Sequence, residues 1–142
     1  MFNGIIKNTG QINKISKGKN NCLIEIKSKI KFNNNDIGSS ISCSGACLTL
    51  EKYKGKVSKF FISKETLNKT IFKYSEKGDI INFEKSIKYG ERLSGHFVQG
   101  HVDTTSKIRD IKYFGKSWLV YFSLTKNYMK NLVSKGSITI NG

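Results

Sequence analysis

Several features that mark particular classes of protein are missing from this sequence of 142 residues. No apolar run approaches the roughly 20 residues that cross a membrane as a helix. The amino terminus has none of the basic, apolar and cleavage regions of a signal peptide, so we expect a cytoplasmic protein. Proline is absent, and no low-complexity stretch suggests a linker.

Cysteine is sparse and shows no metal-binding pattern. Cys22, Cys43 and Cys47 are odd in number and are not spaced as metal ligands. We therefore predict free thiols in a reducing compartment and no metal site.

Arginine is scarce although the formal net charge is +15. Only Arg92 and Arg109 accompany 23 lysines, and the lysines are scattered along the chain. Nucleic-acid recognition favours the arginine fork and stripes of basic and aromatic residues, which are not present here. A basic barrel that binds nucleic acid is therefore the least favoured hypothesis, and the lysines are interpreted mainly as solvated surface.

Short stretches of alternating apolar and polar residues predict a β-rich fold. Within residues 21–26, for example, the apolar Cys22, Ile24 and Ile26 recur at every second position, and Asn21 and Glu25 are polar neighbours. Strands are predicted at residues 5–6 with 11–15, at 21–26, at 39–44 leading into 47–50, at 57–62 and at 80–83, and a helix capped by Ser63 at 64–72. Six strands and one helix within about 85 residues predict a small closed barrel.

The sequence then repeats itself. Residues 2–6 match residues 98–102 at an offset of 96, and Gly45 matches Gly142 at an offset of 97. A nearly constant offset over several landmarks indicates a duplicated unit. We predict an amino-terminal barrel at 1–96 and, at 97–142, the first half of an incomplete second copy with exposed strand edges. This half contains a predicted strand at 118–124 and a short helix at 126–133.

Five stretches of the chain resemble the alpha-chain riboflavin synthases. They are Met1-Phe2-x-Gly4-Ile5-Ile6, Gly45-x-Cys47-Leu48-Thr49, Lys64-Glu65-Thr66-Leu67, Gly95-His96-Phe97-Val98-x-Gly100-His101-Val102-Asp103 and Lys135-Gly136-Ser137-Ile138-x-Ile140-x-Gly142. The likeness extends over the whole chain, in order. It implies an all-β fold of two six-stranded Greek-key barrels with short helices, the second being incomplete here. Ser44 departs from the family, which often has asparagine there, and further catalytic segments of the family would lie beyond Gly142.

The resemblance also implies a reaction and its partners. Two molecules of 6,7-dimethyl-8-ribityllumazine exchange a four-carbon unit and yield riboflavin and 5-amino-6-ribitylamino-pyrimidinedione, without metal or cofactor. The full-length form is expected to be a homotrimer with sites between neighbouring subunits, functionally associated with lumazine synthase. The alternative is a lumazine- or flavin-binding protein without turnover.

The resemblance identifies candidate site residues as well. His101 and Cys47 are the catalytic candidates, because the acidic methyl group of the lumazine needs a modest base and ring addition needs a nucleophile. His96 is the second choice as the base. The substrate-binding residues are Phe2, Gly4, Ile5, Ile6, Cys47, Leu48, Thr49, Phe61, Ile62, Ser63, Lys64, Glu65, Thr66, Gly100, His101, Val102 and Lys135.

Each of the more specific roles has a structural alternative. Either histidine can instead hold a loop by hydrogen bonds, and Cys47 can be a small buried apolar side chain. Lys135 matches a family lysine that reaches a neighbouring subunit's site, or it is an ordinary surface lysine.

Overall fold

Eight β-strands and two short α-helices follow one another in the computed structural model, which describes residues 1–142. The strands are β1 (Asn8–Lys17), β2 (Asn21–Ser28), β3 (Ser40–Cys43), β4 (Ala46–Lys54), β5 (Val57–Ser63), β6 (Ile80–Lys85), β7 (Lys107–Phe114) and β8 (Ser117–Ser123). The helices are α1 (Lys64–Lys69) and α2 (Lys126–Met129). Contacts divide the chain into a barrel unit, Met1–Asp103 with Thr139–Gly142, and a hairpin unit, Thr104–Ile138.

Strands β1 to β6 close into an antiparallel barrel in the order β1-β2-β5-β4-β3-β6. Since β5 lies between β2 and β4, the order is that of a Greek key rather than a meander. The six-stranded barrel predicted from the sequence is thus confirmed. Its interior is apolar because alternate residues of each strand point inward, as Cys22, Ile24 and Ile26 of β2 do, each being fully buried.

Three phenylalanines fill much of the barrel. Phe60, Phe72 and Phe83 are fully buried, and the rings of Phe60 and Phe83 meet edge to face with centroids 5.8 Å apart. Burying a side chain of this size stabilises a fold by about 1.5–3 kcal/mol, so this cluster is a principal source of the barrel's stability.

The first strand begins later than the sequence suggested. Residues 5–6 were expected to belong to it, but β1 starts at Asn8. The chain is diverted at Gly4, which has a left-handed φ of +68°, and Phe2 forms a β-bridge with Val98. The amino-terminal residues therefore pair with a distant segment instead of extending β1.

The predicted helix at 64–72 is also shorter. Helix α1 ends at Lys69, and a 3-10 turn follows at Ile71–Lys73. Between them, Thr70 is extended (φ −126°, ψ 168°) and its hydroxyl bonds back to the Thr66 carbonyl at 2.7 Å. The break allows the Phe72 ring to enter the core, which a continuous helix would not.

The hairpin unit consists mainly of β7 and β8, which pair with each other. The β7–β8 pairing has an irregularity between Ile108 and Asp110, and the β1–β2 pairing has one between Ile12 and Lys14. These positions differ by the repeat offset of 96, which supports the duplication. The predicted helix at 126–133 is reduced to α2, and the domain boundary at 96/97 stays a prediction.

None of the helices combines the length and the apolar character that crossing a membrane requires.

Candidate ligand-binding site

The seam between β4 and β5 is open at one end. The two strands pair from Lys54 opposite Val57 as far as Leu50 opposite Phe60, and no further. The same register places Thr49 opposite Phe61, just beyond the last ladder pair. Residues 46–49 pair only with β3 and residues 61–63 only with β2. The β4–β5 ladder therefore ends here, and we call this end of the seam the gap.

Main-chain groups of Thr49 are directed into this gap. Leu50 donates its N–H towards β3, to the Ser39 carbonyl at 3.0 Å. Because successive residues of a strand direct their N–H and C=O groups to opposite sides, Thr49 directs its groups towards β5. Its side chain is exposed as well, so the hydroxyl is accessible.

The opposite wall of the gap offers matching groups. Ser28 of β2 donates to the Lys56 carbonyl at 2.9 Å, so even-numbered residues of β5 bond towards β2 and Phe61 bonds towards β4. The Phe61 side chain is 46% exposed, whereas Ile62 is buried. Backbone polar groups need partners, and here an external ligand can supply them.

The segment around Gly100, where the sequence repeat begins again, closes one end of the gap. The Cys47 N–H donates to the Gly100 carbonyl at 2.8 Å. A Cβ on Gly100 would lie 2.7 Å from the Cys47 Cβ and 2.9 Å from Phe2 Cε2. The structure thus brings together three of the predicted site residues, and only glycine fits this close approach, at a φ of +80°. Val102 packs on the core.

The residues around Phe2 hold the segment that contains Gly100 in place. Phe2 is fully buried; it donates its N–H to the Val98 carbonyl at 2.8 Å and accepts the Val98 N–H at 3.0 Å. The Cγ2 of Val98 lies 3.0 Å from where a Cβ on Gly4 would be. Of the following predicted wall residues, Ile5 is exposed and Ile6 is half-buried.

The start of α1 lies directly after the gap. The Ser63 hydroxyl accepts the Thr66 N–H at 3.2 Å and lies 3.1 Å from the Thr66 hydroxyl. The Thr66 N–H is therefore taken by the helix cap, and the open N–H groups at the helix start are those of Lys64 and Glu65. The Glu65 carboxylate forms an exposed ion pair with Lys69 at 3.2 Å.

The histidines and Lys135 make few contacts. His96 donates its main-chain N–H to the Asn3 carbonyl at 3.0 Å, and both histidine side chains are exposed. His101 follows Gly100 and is therefore beside the closed end of the gap. Lys135 belongs to the hairpin unit, where it is exposed and has a left-handed φ of 61°.

The three thiols differ in accessibility. Burial raises the pKa of the Cys43 thiol well above its usual value, and it raises the pKa of Cys22, partly offset by Lys17. Both side chains are fully buried, whereas Cys47 is partly exposed. Of the three, Cys47 is the thiol that a ligand or reagent in the gap can reach.

Two supporting residues carried no sequence signal. Asn82 of β6 donates its side-chain N–H to the Asn141 carbonyl at 2.9 Å and exchanges hydrogen bonds with Ser44. Glu84 accepts the Asn3 N–H at 2.8 Å and the Gly4 N–H at 3.3 Å. Each is a single polar residue within a strand, and its partners are remote in sequence.

The glycines that match in the repeat meet in the barrel unit. A Cβ on Gly45 would lie 2.9 Å from the Gly142 N, and one on Gly142 would lie 3.2 Å from the Gly45 N. Ser44 and Asn141, which precede them, both have left-handed φ values, 46° and 57°. The turn that leads into Cys47 is therefore held against the matching turn of the second copy.

A separate cleft of about 630 Å³ lies elsewhere on the barrel unit. Ile5, Ile30 and Phe83 contribute apolar lining, and Lys7 and Arg92 contribute charge. Of the predicted site residues only Ile5 lines it, so this cleft and the β4–β5 gap are different features.

Comparison with known proteins is consistent across sequence and structure. The model of the lumazine binding domain family matches residues 3–86. The riboflavin synthase of Buchnera aphidicola subsp. Baizongia pistaciae is 34% identical over 100% of this chain and 68% of its own length. That of Bacillus subtilis is 35% identical over 100% of this chain and 66% of its own length. The chain thus spans about two thirds of the length of these relatives.

Solved structures of LumP share the fold. The complex of LumP with flavin mononucleotide matches with a TM-score of 0.80 and 27% identity, over 99% of this chain and 76% of that one. The complex with 6,7-dimethyl-8-(1'-D-ribityl) lumazine matches with a TM-score of 0.74 and 26% identity, over 89% of this chain and 71% of that one.

Proposed function

Because this chain belongs to the riboflavin synthase family and carries its lumazine-binding domain, we propose that the open β4–β5 seam binds 6,7-dimethyl-8-ribityllumazine. The observation that carries the proposal is the end of the β4–β5 ladder at Leu50 and Phe60, beyond which the Thr49 and Phe61 side chains are exposed. A flat heterocycle with hydrogen-bonding edges can occupy the gap and bond to both main chains. The hydroxyls of Ser63 and Thr66, at the end of β5 and in α1, then suit the hydroxylated ribityl chain.

We propose further that a form with the full length of the relatives converts the lumazine to riboflavin. One lumazine gives a four-carbon unit to another, so two molecules yield one riboflavin and one 5-amino-6-ribitylamino-pyrimidinedione. The step needs a base for the acidic methyl group and stabilisation of the resulting anion. His101 is the proposed base, and the Cys47 thiol is the proposed nucleophile or proton carrier.

Assembly and location are part of the same proposal. A homotrimer of the full-length form would bring Lys135 to a neighbouring subunit's site. We also propose a cytoplasmic location and a functional association with lumazine synthase. These points rest on the family resemblance and on the sequence, and sedimentation of the full-length protein tests the trimer.

Thr49→Val is expected to weaken lumazine binding about 2- to 10-fold, because it removes one hydroxyl while keeping the branched shape. The main-chain groups at this position remain, so binding should not be abolished. Fluorescence titration with the lumazine measures the dissociation constant. Thr9→Val, at an exposed position of β1, is the matched control, and equal constants for the two variants would remove the Thr49 hydroxyl from the site.

His101→Ala is expected to lower turnover of the full-length protein about 100-fold, the usual contribution of a positioned acid–base group. Riboflavin formation, followed by its fluorescence, gives the rate. His96→Ala is the comparison variant. If His96→Ala lowers turnover and His101→Ala does not, the base is His96. A full-length protein that binds the lumazine without forming riboflavin would instead be the non-catalytic binding protein.

A further inference from the structure

We infer that Glu84 is a positioning residue for the lumazine site, acting through the amino-terminal segment that supports Gly100. The inference rests on the proposed function. Glu84 lies on β6, where it pairs with Ser42 of β3, and Ser42 in turn pairs with Cys47 of β4. Two strand spacings, about 10 Å, separate Glu84 from Cys47. Glu84 therefore acts on the site through other residues, and the hydrogen bonds of its carboxylate define the route.

The first step is a two-pronged hydrogen bond. One carboxylate oxygen of Glu84 accepts the Asn3 N–H at 2.8 Å, and the other accepts the Gly4 N–H at 3.3 Å. Bonds to a charged acceptor are stronger than neutral ones. The carboxylate has no competing partner among the cations, because the two ion pairs of the structure join Lys69 to Glu65 and Lys85 to Asp36.

The second step passes from the Asn3–Gly4 turn to the segment at 96–98. The Asn3 carbonyl accepts the His96 N–H at 3.0 Å, and Phe2 exchanges two main-chain hydrogen bonds with Val98. Gly4 lies against the Val98 side chain. The turn is therefore held by Glu84 on one side and holds residues 96–98 on the other.

The third step reaches the gap. Gly100, two residues after Val98, fits between the Phe2 ring and Cys47, and its carbonyl accepts the Cys47 N–H at 2.8 Å. Tolerances here are small, because a single added methyl group would collide with both neighbours. Loss of the Glu84 carboxylate would release the turn, loosen the contact of Gly100 with Cys47 and expose the Cys47 thiol.

Glu84→Ala tests the inference by two measurements on the intact protein. Alkylation by iodoacetamide, with the labelled cysteine identified by mass spectrometry, should be about tenfold faster at Cys47. Labelling of Cys22 and Cys43 should not change. Lumazine affinity should fall about tenfold in parallel. Glu84→Gln, which keeps one carbonyl oxygen as acceptor, should show a smaller change in both measurements.

The control is Glu76→Gln, which removes the same charge from an exposed side chain of the barrel unit; it should match the unmodified protein. If the Glu84 variants are labelled at the same rate as the unmodified protein and bind the lumazine equally well, the inference is overturned. Faster labelling of all three cysteines together would also overturn it, because Glu84 would then support the whole barrel. If the unmodified protein fails to bind the lumazine, the proposed function fails, whereas selective labelling of Cys47 still reports whether Glu84 positions Gly100.

Discussion

Gly100→Ala is expected to weaken lumazine binding about 100-fold, which corresponds to about 2.8 kcal/mol of strain and lost contacts in the site. The new methyl group would lie 2.7 Å from the Cys47 Cβ and 2.9 Å from the Phe2 ring. The φ of +80° adds the strain of a left-handed alanine, about 1–2 kcal/mol. Since the Gly100 segment must move away, its hydrogen bond to the Cys47 N–H is lost. Fluorescence titration gives the affinity.

The matched control for this substitution is Gly90→Ala. Gly90 has nearly the same φ, +82°, but nothing lies within 4 Å of the position that its Cβ would take. It therefore carries the backbone strain without the collision, and it should lose some stability while keeping full affinity. If the two variants bind the lumazine equally well, the close approach of Gly100 to Cys47 has no part in the site.

Phe60→Ala is expected to destabilise the barrel by about 3–5 kcal/mol, the usual cost of removing a buried phenylalanine from a core. Phe60 is fully buried and packs edge to face on Phe83, so the substitution leaves a cavity at the centre of the barrel. Urea unfolding followed by circular dichroism measures the change.

Phe61, the residue after Phe60 on β5, should affect lumazine binding rather than the stability of the barrel. Phe61 is 46% exposed and borders the gap, so Phe61→Ala should change the free energy of unfolding by less than about 1 kcal/mol. It should instead weaken lumazine binding, because it removes one wall of the site. Comparable losses of stability in the two variants would contradict the assignment of Phe60 to the core and Phe61 to the site.

The barrel was predictable because its signal is local. Alternation with a period of two is visible within each strand, as at Cys22, Ile24 and Ile26, and it indicates which face is buried. The ends of the elements were less predictable. The amino-terminal residues pair with Val98, and α1 stops where Thr70 turns Phe72 into the core; both results depend on contacts that no local window contains.

Candidate residues for the site could be proposed from the sequence, but the geometry around them could not. The family resemblance pointed to Cys47 and Gly100, and the structure shows them in contact. The gap itself depends on the register between two strands, which ends at Leu50 and Phe60. An irregularity in the ladder between Leu50 and Lys52 is likewise invisible in the sequence. The bond from Glu84 to Asn3 spans 81 positions and has no sequence signature.

The reciprocal contacts between matching positions make the surroundings of these positions depend on one another. Phe2 and Val98 each donate to the other, and Gly45 and Gly142 each crowd the space that a side chain of the other would take. Two identical molecules related by a two-fold axis make contacts of this type, and here one chain makes them with its own repeat. A substitution in one copy at such a position therefore changes the surroundings of its counterpart.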